Sequence, residues 1–148
     1  MQPFPDSLTH LMRHVLKQHR REVDRLIHEY EVYPGQPPVL FRLCEQDGLS
    51  QRELAQRVRL TPATLTVMLT RMEKTGLVER RPDDRDQRIS RVYMTAKGRA
   101  ALDAVGGAIR SVEQRAFAGF LPEEQLLLRR LLMQMQHNLD TPDSLADE

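Results

Sequence analysis

Ser50-Gln51-Arg52-Glu53-Leu54-Ala55-Gln56-Arg57-Val58 is followed by Arg59-Leu60 and then by Thr61-Pro62-Ala63-Thr64-Leu65-Thr66-Val67-Met68-Leu69-Thr70-Arg71-Met72-Glu73-Lys74-Thr75-Gly76. Ser50 with Glu53 three residues on has the form of a capping box, in which two orphan helix-start amides are satisfied reciprocally. It predicts a short helix through Val58 with Leu54, Ala55 and Val58 turned inward. Arg59-Leu60 leaves room only for a tight turn. Thr61 as cap and Pro62 at the first helical position then start a second helix, which runs to about Thr75 and stops at Gly76. Two short capped helices joined by two residues predict a helix-turn-helix over about 50–75.

The second helix has two unlike faces. Leu65, Met68, Leu69 and Met72 form an apolar one. Thr61, Ala63, Thr64, Thr66, Val67, Thr70, Arg71 and Lys74 lie largely on the other, which is small or hydroxyl-bearing at its start and cationic at its end. A helix that reaches base edges in the major groove needs small residues near its N-terminus. Threonine hydroxyls can bond bases or phosphates, and a Thr or Val methyl can meet a thymine methyl. Arg71 suits guanine or phosphate, and Lys74 suits phosphate. An ordinary amphipathic helix with a polar outer face is the plainer alternative. The capped helix before it and the basic hairpin after it favour a DNA-reading element.

That hairpin is read from Leu77–Arg81 and Ile89–Met94 as two short strands around Pro82-Asp83-Asp84-Arg85-Asp86-Gln87-Arg88, giving a wing over about 77–94. It carries Arg80, Arg81, Arg85, Arg88 and Arg91. A basic hairpin beside a recognition helix suits the minor groove, where negative potential is concentrated. The three aspartates would repel phosphate unless they hold arginines, and Asp86 with Arg88 is the expected pair. The aspartates are equally ordinary turn formers.

Outward from this centre the chain reads as helix. Residues 6–31 carry Leu8, Leu11, Met12, Val15, Leu16, Val23, Leu26, Ile27 and Tyr30 at helical spacing, with Asp6 or Ser7 as cap. Pro34-Gly35-Gln36-Pro37-Pro38 breaks the helix, and a short one follows with Val39, Leu40, Leu43 and Cys44 on its apolar side. Thr95 is expected to cap a helix through about Phe117 with Leu102, Val105, Ile109, Val112 and Ala116 inside, weakened by Gly106-Gly107. A last helix spans Pro122 to about Leu139, with Leu128, Leu131, Leu132 and Met135 as its stripe, and 141–148 reads as a polar tail. The fold class is mainly α with a small β-hairpin wing.

Charge separates the same regions. Residues 50–100 hold twelve Lys or Arg against six Asp or Glu, while the rest holds ten against fifteen, so the net +1 hides a basic middle between acidic flanks. A basic segment suits a polyanion, because each neutralised phosphate releases counterions. With 40% hydrophobic residues the chain can fill a core, and no apolar run approaches the roughly 20 residues that span a bilayer. Met1–Ser7 lacks the basic start and apolar stretch of a secretory leader. One cysteine, Cys44, excludes an internal disulfide, so a cytoplasmic setting without membrane contact is expected. No Gly-rich phosphate loop, nucleophile elbow or metal-ligand cluster is present, which argues against an enzyme, and no cofactor is expected.

These residues resemble the MarR family of winged helix-turn-helix regulators. Leu49-Ser-Gln-Arg-Glu-Leu-Ala is similar to the first helix of the family's pair. Leu60-Thr-Pro-Ala-Thr-Leu-Thr with Arg71-Met-Glu-Lys-Thr-Gly-Leu-Val-Glu-Arg resembles its recognition helix and first wing strand. Asp86-Gln-Arg88 and Val92-Tyr-Met-Thr95-Ala-Lys-Gly98 resemble the wing signature Asp-x-Arg, strand, Leu-Thr-x-x-Gly, with Met94 in place of the usual Leu. The resemblance covers roughly 6–140. It implies a homodimer built on helices about 6–31 and 96–139, binding of double-stranded DNA at a near-palindromic operator with Arg85, Asp86 and Arg88 in the wing, repression, and release by a small aromatic or phenolic ligand.

For such a ligand His14, Gln18, Tyr30, Tyr33 and Arg42 are candidates, since they offer polar or aromatic tips near the predicted junction. Metal- or thiol-responsive regulation by the same fold is an alternative, and so is a winged helix used for protein contacts. His10 and His14 have ligand spacing on a helix, but no third ligand is evident apart from His137 across a dimer. Cys44 is expected to be a small buried hydrophobe, because reactive thiols need exposure and nearby cations.

Overall fold

The computed structural model describes residues 7–140. Asp6, one of the two expected caps, and the tail 141–148 lie outside the described residues. In chain order the elements are α1 (Leu8–Ile27), a 3-10 turn (His28–Tyr30), α2 (Pro37–Glu45), β1 (Leu49–Ser50), α3 (Gln51–Val58), α4 (Pro62–Lys74), β2 (Val78–Pro82), β3 (Ser90–Met94), α5 (Ala96–Ala116) and α6 (Pro122–Asp140). They fall into two compact units that divide between Val112 and Glu113.

Local sequence accounts for the helix starts. Ser7 accepts the His10 amide at the head of α1. Ser50 and Glu53 make the expected reciprocal box, Glu53 N–H to Ser50 Oγ at 3.2 Å and Ser50 N–H to Glu53 Oε2 at 2.9 Å. The box holds the Glu53 carboxyl below its ordinary value, chiefly through the Ser50 backbone amide. Thr61 accepts the Thr64 amide, with Pro62 in the first turn of α4. The Thr95 hydroxyl oxygen accepts the Gly98 amide at 2.9 Å. The helix ends also follow local chemistry. Arg59 takes a left-handed conformation at the end of α3, with φ 56°, a conformation that costs a non-glycine residue roughly 1–2 kcal/mol. Leu60, beside it, packs against the core, and that burial helps hold the strained turn.

The three strands form one antiparallel sheet in the order β1-β3-β2. Val78 pairs with Met94 and Pro82 with Ser90 across the hairpin, while Leu49 pairs with Val92 on the other edge. The hairpin strands lie within a residue of their expected bounds. β1 was not expected. Its two residues end on the helix cap Ser50 itself and are too few to show an alternating pattern; the Asp47 carboxylate extends the junction by accepting the Met94 amide at 2.9 Å.

The core of the first unit is continuous. Ile27, Leu40, Leu43, Leu54, Leu65, Leu69, Met72, Leu77 and Val92 are fully buried, with Leu102, Val105 and Val112 of α5 joining them. No buried side-chain nitrogen or oxygen among the described residues lacks a hydrogen-bond partner. The outer part of α1 is different. Val23 and Ile27 are buried, but Leu8, Leu11, Val15 and Leu16 are exposed. Cys44 also departs from expectation: Val39, Leu40 and Leu43 fill the inner face of α2, and Cys44 is exposed. Helical spacing put Cys44 at the margin of that stripe, and the three aliphatic side chains occupy the available space.

In the second unit α6 buries none of its side chains. Of the expected stripe, Leu131, Leu132 and Met135 are exposed and Leu128 is half-buried, and Leu126, Leu127, Met133 and Leu139 add further exposed apolar surface. Phe117 and Phe120 meet edge to face before it.

Candidate nucleic-acid interface

The inner face of α4 is anchored by Leu65, Leu69 and Met72, all buried, with Met68 half-buried against the core. This fixes the roll of the helix. Thr61, Ala63, Thr64, Thr66, Val67, Arg71 and Lys74 are exposed as a result, and Thr70 is half-buried. Val67 is 57% exposed, an apolar side chain in the middle of a surface helix.

The threonine hydroxyls are largely engaged within the protein. Thr66 donates to the Pro62 carbonyl at 2.9 Å and accepts the Gln51 side-chain amide of α3 at 3.3 Å. Thr70 donates to the Thr66 carbonyl at 2.9 Å and accepts Arg80 Nη2 at 3.2 Å. The Thr61 and Thr64 hydroxyls lie 2.9 Å apart and bond each other.

The five hairpin arginines divide by partner. Arg80 is ion-paired to Glu73 as well as bonded to Thr70, so it ties β2 to α4. Arg81 pairs with Glu79 and lies over the Tyr93 ring, 4.7 Å from its centroid. Arg91 donates to Asp83 and, through Nη1, to the Gly48 carbonyl at 2.9 Å, fastening the loop to the chain before β1. Asp83 also accepts the Arg85 and Asp86 amides at 3.0 and 3.1 Å, which folds the wing tip around one carboxylate. Arg85 and Arg88 remain at that tip, exposed.

Asp86 holds Arg88 as expected, accepting Nε at 3.0 Å, Nη2 at 2.9 Å and the Arg88 amide at 3.1 Å. Such a two-pronged grip fixes the guanidinium plane. Each carboxylate is held below its ordinary value by its arginine, Asp83 by Arg91 and Asp86 by Arg88, and both arginines are shifted upward in return.

An open groove of about 670 Å³ runs between the start of α3 and the wing, with Gln51, Arg52, Arg88, Ile89 and Arg91 among its lining residues. It brings together the capping box and the wing, 35 or more residues apart in the chain. Arg52 and Gln51 were absent from the expected interface. In sequence they are two polar positions inside a helix cap, and only the antiparallel β1–β3 pairing carries them to the wing.

The expected effector residues are more dispersed. His14 and Gln18 are exposed on α1 and Tyr30 on the 3-10 turn; Tyr33 packs edge-on against His28, and Arg42 is paired with Glu45 on α2. None of the five lines the groove above or the shallow one on α6 along Leu126, Arg130 and His137. Among the described residues no three His, Cys, Asp or Glu side chains are grouped to hold a metal ion, and no helix is long and apolar enough to cross a membrane.

Two capped helices packed beside a small antiparallel sheet, with a basic hairpin after the second, define a winged helix-turn-helix DNA-binding protein. The MarR family model matches residues 32–90. The chain is 33% identical over 129 residues to the transcriptional regulator HosA of Escherichia coli, covering 86% of this chain and 93% of that protein. It is 27% identical over 121 residues to the HTH-type transcriptional repressor IacR of Pseudomonas putida, covering 82% and 72%. The crystal structure of the PcaV transcriptional regulator from Streptomyces coelicolor superposes with a TM-score of 0.79 at 26% identity, covering 90% and 97%. The chain belongs to the MarR family of transcriptional regulators.

Proposed function

We propose that this regulator is a repressor that binds a near-palindromic double-stranded operator as a homodimer and is released by a small aromatic or phenolic ligand. One observation carries the DNA-reading part. The exposed, small-residue face of α4 lies beside a wing whose tip presents Arg85 and an oriented Arg88. In this reading Ala63, Thr66, Val67 and Thr70 face bases, with Thr61, Thr64, Arg71 and Lys74 at the helix ends toward phosphates, and the wing enters the adjacent minor groove. Arg52 adds a phosphate contact at the start of α3.

The exposed leucines of α1 and α6 support the homodimer. Leu8, Leu11, Leu16, Leu126, Leu131 and Leu139 are all between 43% and 84% exposed, more apolar surface than a monomer leaves in water without a partner. A two-fold pair would set its reading helices about one DNA turn apart, roughly 34–36 Å. The repressor sense is supported by the similarity to the transcriptional repressor IacR. For the effector, the family resemblance suggests a small aromatic or phenolic ligand, and the polar or aromatic tips of His14, Gln18, Tyr30, Tyr33 and Arg42 make these residues its candidates, although they are not gathered in one pocket. A ligand that binds one spacing of the two heads better than another changes affinity for a fixed operator. Footprinting on the protein's own upstream region, repeated with a panel of phenolic and aromatic acids, tests the whole reading. A protected near-palindrome that disappears with one of them supports it, and uniform protection or none removes it.

A further inference from the structure

We infer that the reading face of α4 recognises methyl groups in the major groove, so that the preferred operator presents thymine methyls at the bases under Thr66 and Val67. The inference rests on the reading that α4 enters the major groove. A threonine can address a base with its hydroxyl or with its methyl, and the hydrogen-bond inventory separates the two. A hydroxyl has one hydrogen to donate and two lone pairs. At Thr66 the hydrogen goes to the Pro62 carbonyl at 2.9 Å, and one lone pair receives the Gln51 amide at 3.3 Å. At Thr70 the hydrogen goes to the Thr66 carbonyl at 2.9 Å, and one lone pair receives Arg80. Neither side chain has a hydrogen left to give to a guanine or thymine oxygen or to a purine N7.

The contacts of Thr66 and Thr70 tie each hydroxyl branch to backbone one turn earlier and to a neighbouring element. The other branch on each Cβ is the methyl. Between them stands Val67, 57% exposed and wholly apolar, and Ala63 lies one turn before. Positions 63, 66, 67 and 70 share one helical face by their three- and four-residue spacing. The central face therefore presents methyl groups beside one remaining acceptor lone pair on each of Thr66 and Thr70, which suits only an adenine or cytosine amino group, with polar contacts available at its ends through Arg71, Lys74 and the Thr61–Thr64 pair. In the major groove only thymine among the four bases offers a methyl as its complement.

The test uses the intact protein and a site selected from a random duplex pool. Each thymine of that site is then replaced by deoxyuridine, which keeps every hydrogen-bonding group and removes only the methyl. Affinity is expected to fall about four-fold for each contacted methyl, the amount that burying one such group is worth. Thr66→Val should keep the thymine-over-uracil preference, and Thr66→Ser should abolish it at one position per half-site, with thermal melts confirming that both variants fold. If uridine binds as well as thymidine throughout, or if Thr66→Val loses the preference that Thr66→Ser keeps, the inference is overturned while sequence-specific binding stands. A pool from which no preferred site emerges removes the underlying DNA-reading role, and the inference with it.

Discussion

Asp86 accepts two hydrogen bonds from the guanidinium of Arg88, at 3.0 and 2.9 Å, while the Arg88 side chain stays 90% exposed. An arginine so exposed contributes nothing to the core. Its ordering is useful for a partner outside the protein, since an oriented guanidinium loses less freedom on binding. Arg88→Ala is expected to leave the melting temperature unchanged and to weaken DNA binding, lowering the slope of log affinity against log salt by about one per protomer. Asp86→Ala should weaken binding as well, although it removes a negative charge from the interface. Fluorescence anisotropy across a salt series reads both. Tighter binding by Asp86→Ala would show that repulsion, not positioning, is the main effect of that carboxylate.

The same pairing sets a pH dependence. Arg88 holds the Asp86 carboxyl below its ordinary 3.8 by side-chain and backbone hydrogen bonds. A depressed carboxylate contributes its stabilisation fully above the ordinary value and loses it as pH falls through the lower, folded value. The wing tip should therefore stay ordered at pH 5 and loosen only below 3.8. Carbon-detected NMR titration of Asp86 should give a midpoint under 3.8 that rises in Arg88→Ala. An unchanged midpoint in the variant would contradict the assignment.

Two glycines of α5 should respond to alanine with opposite signs. A Cβ at Gly98 would sit 2.1 Å from the Leu77 carbonyl oxygen and 2.9 Å from Met94 Cγ. That carbonyl also accepts the Thr95 amide, so it is poorly placed to yield. Gly98→Ala should cost about 3 kcal/mol, as overpacking against backbone does. Gly107 has nothing within 4 Å of the same position, and Gly107→Ala should stabilise the helix by up to about 1 kcal/mol. Calorimetric melts of the two variants decide the matter, and a destabilised Gly107→Ala would mean that a partner fills this space.

Much of this was legible in the chain. Both helix caps of the reading element follow from side chains that bond amides three residues away, as at Ser50–Glu53 and Thr61–Thr64, and such local chemistry does not depend on tertiary context. The hairpin bounds and the Asp86–Arg88 pair are short-range as well. What was not legible depends on contacts distant in sequence. β1 exists because Leu49 meets Val92, and Arg80 is removed from the set of free wing cations by Glu73 and Thr70. The exposure of Cys44 reflects competition among four apolar side chains for three inward places, which helical periodicity does not rank.

The apolar surfaces of α1 and α6 predict the assembly state. Leu16→Glu or Leu131→Glu should shift the protein from dimer toward monomer in sedimentation velocity, and DNA affinity should fall with it because two linked half-sites become one. A wild-type protein that sediments as a monomer at micromolar concentration would end the homodimer reading.

Specific DNA binding by the basic middle of the chain, through α4 and the wing, is read most directly from affinity for the protein's own upstream duplex and for a scrambled duplex of equal length, each from about 50 to 300 mM salt. Tighter binding to the upstream duplex is expected at every salt concentration, with both affinities falling steeply as salt rises. Equal affinity for the two duplexes, or binding indifferent to salt, would contradict it.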